Sequence, residues 1–243
     1  MHSKLTTRRS VLGAAGGGTV LAATGLIVPA FATERKGLKA KPKESVGAGK
    51  EEVSPPEDLM REHGVLDRVL LIYEAAMRKF AAKEDVDPAI VTHAAEVVRD
   101  FINNYHEKSE EKHVFPRFKR AGKMVDLVDV LLAQHEAGRR VTQVILQGAS
   151  ASRTDGEERQ RLVGAMQSFI AMYRPHAARE DTDLFPKLKD VVSSHEYDAM
   201  AEQFEEEEHR LFGEDGFEKM AQRVAGLEQA IGIADLAQFT PRI

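Results

Sequence analysis

Apolar residues recur along the chain at helical spacing, and each run stops at proline, glycine or a small polar residue. Leu59, Leu66, Leu70, Tyr73, Met77 and Phe80 share one side of a helix that Ser54-Pro55 opens and that extends to about Lys83. Asp87-Pro88 opens a second helix, expected to end before Phe115-Pro116 because a proline pushes the residue ahead of it out of the helical region. A third covers about Met124 to Gln147 and is stopped by Gly148 and the polar stretch behind it. The fourth spans roughly Gly156 to Asp181, and Pro175 inside it predicts a kink just before His176. Ser193 with Glu196 reads as a capping box for a fifth helix ending at Gly213, and a sixth covers about Phe217 to Ile231. Strand-like alternation is absent, so the pattern predicts an all-α fold.

Two of these helices carry the same signature. YHEKSEEKHVFPRFK, from Tyr105, and YRPHAAREDTDLFPKL, from Tyr173, hold His106, Glu110 and Phe115-Pro116 at the mutual spacing of His176, Glu180 and Phe185-Pro186. Each copy follows a Phe-Ile pair, with Arg174-Pro175 inserted in the later one. The repeat reaches the preceding helices, where Leu59 to His63 aligns with Leu131 to His135 and Arg68-Val69 with Arg140-Val141. Each half is then a helical hairpin with one histidine on its first helix and His-x-x-x-Glu on its second. Two such hairpins predict an up-down-up-down four-helix bundle over residues 54–191, with a C-terminal extension, 192–243, whose two helices pack outside it.

A four-residue step turns about 400° around a helix, so His106 and Glu110 project from nearly one face, as do His176 and Glu180. That face is the apolar one. His63 stands between Leu59 and Leu66, and Val128, Leu131 and Leu132 precede His135. Four imidazoles and two carboxylates in one core are tolerable only if they compensate one another, because an unpaired buried charge costs several kcal/mol or more. A pair of cations supplies that compensation. His63, His106, Glu110, His135, His176 and Glu180 are the candidate ligands, with the glutamates bridging. Six protein donors do not saturate two six-coordinate ions, so positions remain for oxo, hydroxo, water or a small molecule. The donor set favours two iron ions first and manganese second, whereas zinc prefers a closed tetrahedron.

The pattern His63, His106-x-x-x-Glu110, His135, His176-x-x-x-Glu180 resembles the hemerythrin-like, or HHE cation-binding, domain over about Pro55 to Lys189. The resemblance implies a non-haem di-iron centre in a four-helix bundle with those six residues as ligands. Ferritin-like di-iron bundles use Glu-x-x-His instead, which is missing here. Oxygen-carrying hemerythrins have a further histidine where this chain has Leu131 and an aspartate where it has Glu180. The chain is therefore similar to the four-His, two-Glu subset, which implies redox chemistry on peroxide, nitric oxide or oxygen. The alternative is an oxygen- or iron-binding, storage or sensing module. An iron-centre repair role lacks its cysteine-bearing N-terminal region.

Composition changes the setting more than the chemistry. TTRRSVLG, the apolar run from Val11 to Val28 and Ala30-Phe31-Ala32 resemble a twin-arginine export signal over residues 1–32, and a Lys/Gly/Glu-rich linker covers 33–53. The expectation is a periplasmic or extracytoplasmic protein exported already folded. Loss of Lys4, Arg8 and Arg9 with the signal takes the net charge from −5 to −8, which disfavours nucleic acid as a partner. The absence of cysteine excludes disulfides and thiolate ligands, and no later segment is apolar enough for a stable membrane span. His113 and Asp183 read as solvated helix-end residues before hydrogen-bond partners of the ligands, the acidic run before His209 as a solvated face before a cation-binding one, His93 as exposed, and Tyr73, Tyr105 and Tyr173 as core or rim before groups that tune the site or carry a radical.

Overall fold

A computed structural model of the chain describes residues 53–152 and 155–242; the expected signal, 1–32, and the linker up to residue 52 lie outside them. Among the described residues the fold is all-α, with six helical rods and no strand. The first rod is α1 (Pro55–Ala81). The second is one continuous run: α2 (Pro88–Val97), a π-helical stretch Val98–His106, α3 (Glu107–Ser109), a π turn Glu110–Val114 and α4 (Phe115–Ala121). The third is α5 (Val125–Ala151), and the fourth joins α6 (Gly156–Arg179), a π turn Glu180–Leu184 and a 3-10 turn Phe185–Asp190. α7 (Ser194–Phe212) and α8 (Gly216–Ile231) follow.

The starts obey local chemistry. Asp87 accepts from the Ala89 N–H, Asp155 from the N–H groups of Glu157 and Glu158, and Ser193 and Glu196 form the expected capping box. Ser54 is extended ahead of Pro55, as an N-cap must be, but its side chain makes no cap bond. Two stops differ from expectation. Gly148 does not end α5; it is buried inside the helix, where a Cβ would meet Leu162 at 3.9 Å. Nor does Pro116 end the second rod. The π turn ahead of it widens the helix so that the Phe115 N–H reaches the Glu110 carbonyl, which relieves the clash a proline ring makes with the carbonyl four residues back. Pro186 does the same, with the Phe185 N–H on the Glu180 carbonyl. Each π turn thus begins at a glutamate of the repeat.

The rods pack as a bundle: α1 lies beside the second rod, that rod beside α5, α5 beside α6, and α6 beside α1. Two apolar clusters fill it. One holds Leu66, Leu70, Tyr73, Ile102, Tyr105, Ile145, Phe169 and Tyr173, and the other Leu59, Val114, Phe115, Leu131, Leu184 and Phe185. Each of the four rods contributes to both, and the six polar residues of the repeat fall between the two contributions along every rod. They form a polar layer sandwiched by hydrocarbon. α8 packs on α1 and α2 and gives Val224, Leu227 and Ile231 to the first cluster, while α7 gives Met200 and Phe204 to the second. None of the described helices is long and apolar enough to cross a membrane.

Candidate metal centre

All six sequence-identified side chains meet in this layer, with none more than 3% exposed. They gather as two pairs of imidazoles. His63 and His106 face each other with Nε2 atoms 3.0 Å apart, and His135 and His176 with Nε2 atoms 3.2 Å apart. Glu180 Oε2 stands 3.3 Å from His63 Nε2 and 3.1 Å from His176 Nε2, so it touches both pairs. Glu110 Oε2 does likewise, 3.7 Å from His106 Nε2 and 3.4 Å from His135 Nε2.

The outward nitrogen of every ring is anchored. His63 Nδ1 lies 2.7 Å from Asp181 Oδ1, His106 Nδ1 2.8 Å from Glu62 Oε2, His135 Nδ1 3.1 Å from Glu111 Oε1 and His176 Nδ1 2.9 Å from Gln134 Oε1. Carboxylate and amide oxygens accept only, so in the neutral ring, the form that binds a cation, Nδ1 carries the proton and Nε2 offers its lone pair inward. These anchors follow the repeat: Glu62 and Gln134 precede the two lone histidines, and Glu111 and Asp181 follow the two glutamates. Their mark in the sequence is a polar residue beside a candidate ligand at the same offset in both halves, a signal that the ligand pattern itself does not contain. Phe185 stacks on His63 at 5.7 Å between ring centroids and Phe115 on His135 at 5.4 Å, so the Phe-Pro of each copy covers a histidine of the other.

Four lone pairs and two carboxylates converging without a donor would be repulsive by themselves. All four oxygens of Glu110 and Glu180 are buried, and apart from the four imidazoles no other residue among those described stands ready to donate to them. With no cation, the layer shares protons unevenly. Burial opposes charge on His63, yet Asp181 and Glu180 raise it to about 9. Burial, and then the charge on His63, pushes His106 well below its usual range. Burial and the neighbouring Glu180 push the Glu110 carboxyl well up, while His176 and His63 hold Glu180 low against its own burial. A cation removes the conflict at its source. Two donors about 2.1 Å from one ion at a right angle are about 3 Å apart, which is the separation of each imidazole pair. The donors present therefore fit metal ions.

A third cluster sits behind His135. Glu107 accepts from the Tyr173 hydroxyl at 2.5 Å and from Asn103 Nδ2 at 2.9 Å, and its other oxygen is 2.8 Å from Arg139. Arg139 also meets Glu111 at 2.5 Å, so a guanidinium already balances this pair of carboxylates. Burial, and then Glu107, raises the Tyr173 hydroxyl well above its usual range and keeps it protonated as a donor. Tyr73, Tyr105 and Tyr173 are core residues and His93 is exposed, as expected. His113 is not a solvated end residue: it is 6% exposed, packs edge-on to Phe204 and meets Glu207 at 3.2 Å. The acidic run is divided as well, since Glu208 is buried and accepts from the Phe217 N–H.

The chain matches the hemerythrin HHE cation-binding domain over residues 54–188 and again over 126–239. It belongs to that family. An uncharacterised protein of Mycobacterium bovis and two of Mycobacterium tuberculosis are each 46% identical to it over 190 residues, 78% of this chain and 74% of theirs. No solved structure matches it.

Proposed function

We propose that this chain is an exported di-metal protein that carries out redox chemistry on a small oxidant: peroxide, nitric oxide or oxygen. Two iron ions are the favoured occupants and manganese the second choice, with His63 and His106 serving one ion, His135 and His176 the other, and Glu110 and Glu180 bridging them. The observation that carries this reading is the convergence of four imidazole Nε2 atoms and the carboxylates of Glu110 and Glu180 in one buried layer. Its six donors correspond between the two halves, His63 with His135, His106 with His176 and Glu110 with Glu180, which supports a duplicated hairpin and an up-down-up-down bundle as the origin of the site.

When bound, the ions supply the electron transfer. The chain's own part is to hold six donors in place, keep bulk water out with the two apolar clusters, and leave coordination positions vacant where Leu131 replaces a further imidazole. Twin arginines Arg8-Arg9 followed by an apolar run support export of the folded protein, which suits a site that must take up metal before crossing the membrane. The test is to load the full chain with ferrous iron without air and add peroxide or nitric oxide in excess over iron. Consumption beyond the iron present is expected; reversible oxygen uptake with no consumption of either would make it a binding module instead. Replacing Arg8-Arg9 with lysines is expected to hold the protein in the cytoplasm, and unchanged export would contradict the signal.

A further inference from the structure

The anchors of the two halves match in charge at the lone histidines, where Asp181 holds His63 and Glu111 holds His135, and differ at the other two. Glu62, which holds His106, has Gln134 as its counterpart on His176. A carboxylate accepting from the Nδ1 proton pushes electron density into the ring and strengthens the Nε2 donor, whereas an amide oxygen is a much weaker acceptor. The surroundings sharpen the difference. His63 and His106 are anchored by two acids, Asp181 and Glu62. His135 and His176 are anchored by Gln134 and by Glu111, whose charge is drawn off by Arg139 at 2.5 Å and Lys108 at 2.6 Å. Glu107 near His135 is likewise balanced by Arg139. The residue that corresponds to Arg139 in the first half is Asp67, an acid beside His63, though its exposure leaves it screened.

We propose that the two cation positions are unequal, with the His63/His106 position holding its ion more tightly than the His135/His176 position, and that Glu62 and Gln134 are the positioning residues that set the difference. This rests on the di-metal reading above and adds to it an order of loading and release. A centre that keeps one ion while the other exchanges can be completed or emptied in steps, and the weaker half is where a metal-poor environment would first disable it.

The test uses the full chain loaded with cobalt(II), a close stand-in for ferrous iron in N/O sites with a visible spectrum. Release into excess EDTA is followed by absorbance. Two phases of equal amplitude are expected, separated by about 10–100-fold, the usual weight of such outer partners. The isosteric Gln134→Glu should slow the fast phase and leave the slow one alone. Glu62→Gln should hasten the slow phase and leave the fast one alone. Opposite effects of two equal-sized substitutions are something a merely structural role would not produce, and Gln134→Glu carries the test by itself if Glu62→Gln fails to fold. One phase releasing both ions from the unmodified chain, or a variant that moves both phases together, would overturn the inequality. Failure of the unmodified chain to take up a second equivalent would instead sink the di-metal reading and this inference with it.

Discussion

The hydroxyl of Tyr173 occupies the space where a side chain on Gly138 would begin: a Cβ there would stand 2.0 Å from the oxygen and 2.7 Å from the ring carbon bearing it. Gly138 lies three residues past His135 and Tyr173 three before His176, so this contact fixes how closely α5 and α6 approach beside the site.

Gly138→Ala must therefore displace the ring and break the bond from Tyr173 to Glu107. A loss of about 1–3 kcal/mol is expected, the usual range for overpacking a filled interior. Tyr173→Phe removes the nearest clashing atom, so the pair should cost less than the sum of the two single changes. Urea unfolding of the single and double variants checks this, and strict additivity would contradict the contact.

His113 makes stability depend on pH on the acid side. Burial against Phe204 lowers its pKa below the ordinary value of 6.5, with Lys112 and Arg117 opposing its charge further and Glu207 partly restoring it. The unfolded chain then binds the proton more readily than the folded one. Its contribution is complete above 6.5 and is lost as pH falls below that value. Glu207, held low by Lys112 and His113 against its own partial burial, adds a separate loss once pH drops below its ordinary 4.5. His113→Phe should flatten the first slope and weaken the second without abolishing it, because Lys112 still holds Glu207. Urea midpoints between about pH 7.5 and about pH 4 read both, and an unchanged slope in the variant would count against the buried imidazole.

Phe204 joins α7 to the lower edge of the metal layer, since it packs in the cluster with Phe115 and Phe185 and touches His113. Phe204→Ala is expected to cost about 3–5 kcal/mol, as a buried aromatic does. A loss below about 1 kcal/mol would mean that the C-terminal helices are appended to the bundle without supporting it.

Much of this was readable from sequence because it depends on period. The apolar stripes place each rod, and the repeated His-x-x-x-Glu puts Glu110 under His106 and Glu180 under His176 whatever the tertiary details. What depends on contacts across rods was not readable. The expected stop at Pro116 rested on the geometry of an α turn, and the chain avoids it by widening one turn. The burial of His113 requires α7 to arrive over the second rod, which no local pattern announces. The ligand anchors are intermediate: Glu62, Gln134, Glu111 and Asp181 sit in the repeat, but which imidazole each meets is decided across the bundle, Asp181 reaching His63 and Glu62 reaching His106.

The central claim is that the polar layer holds two cations through these six side chains, and anaerobic iron titration of the full chain followed by metal analysis tests it most directly. The account predicts about two irons per chain for the unmodified protein and for His93→Ala, and loss of most of that iron in Glu110→Ala and His176→Ala. Equal iron in all four proteins, or none in the unmodified one, would contradict it.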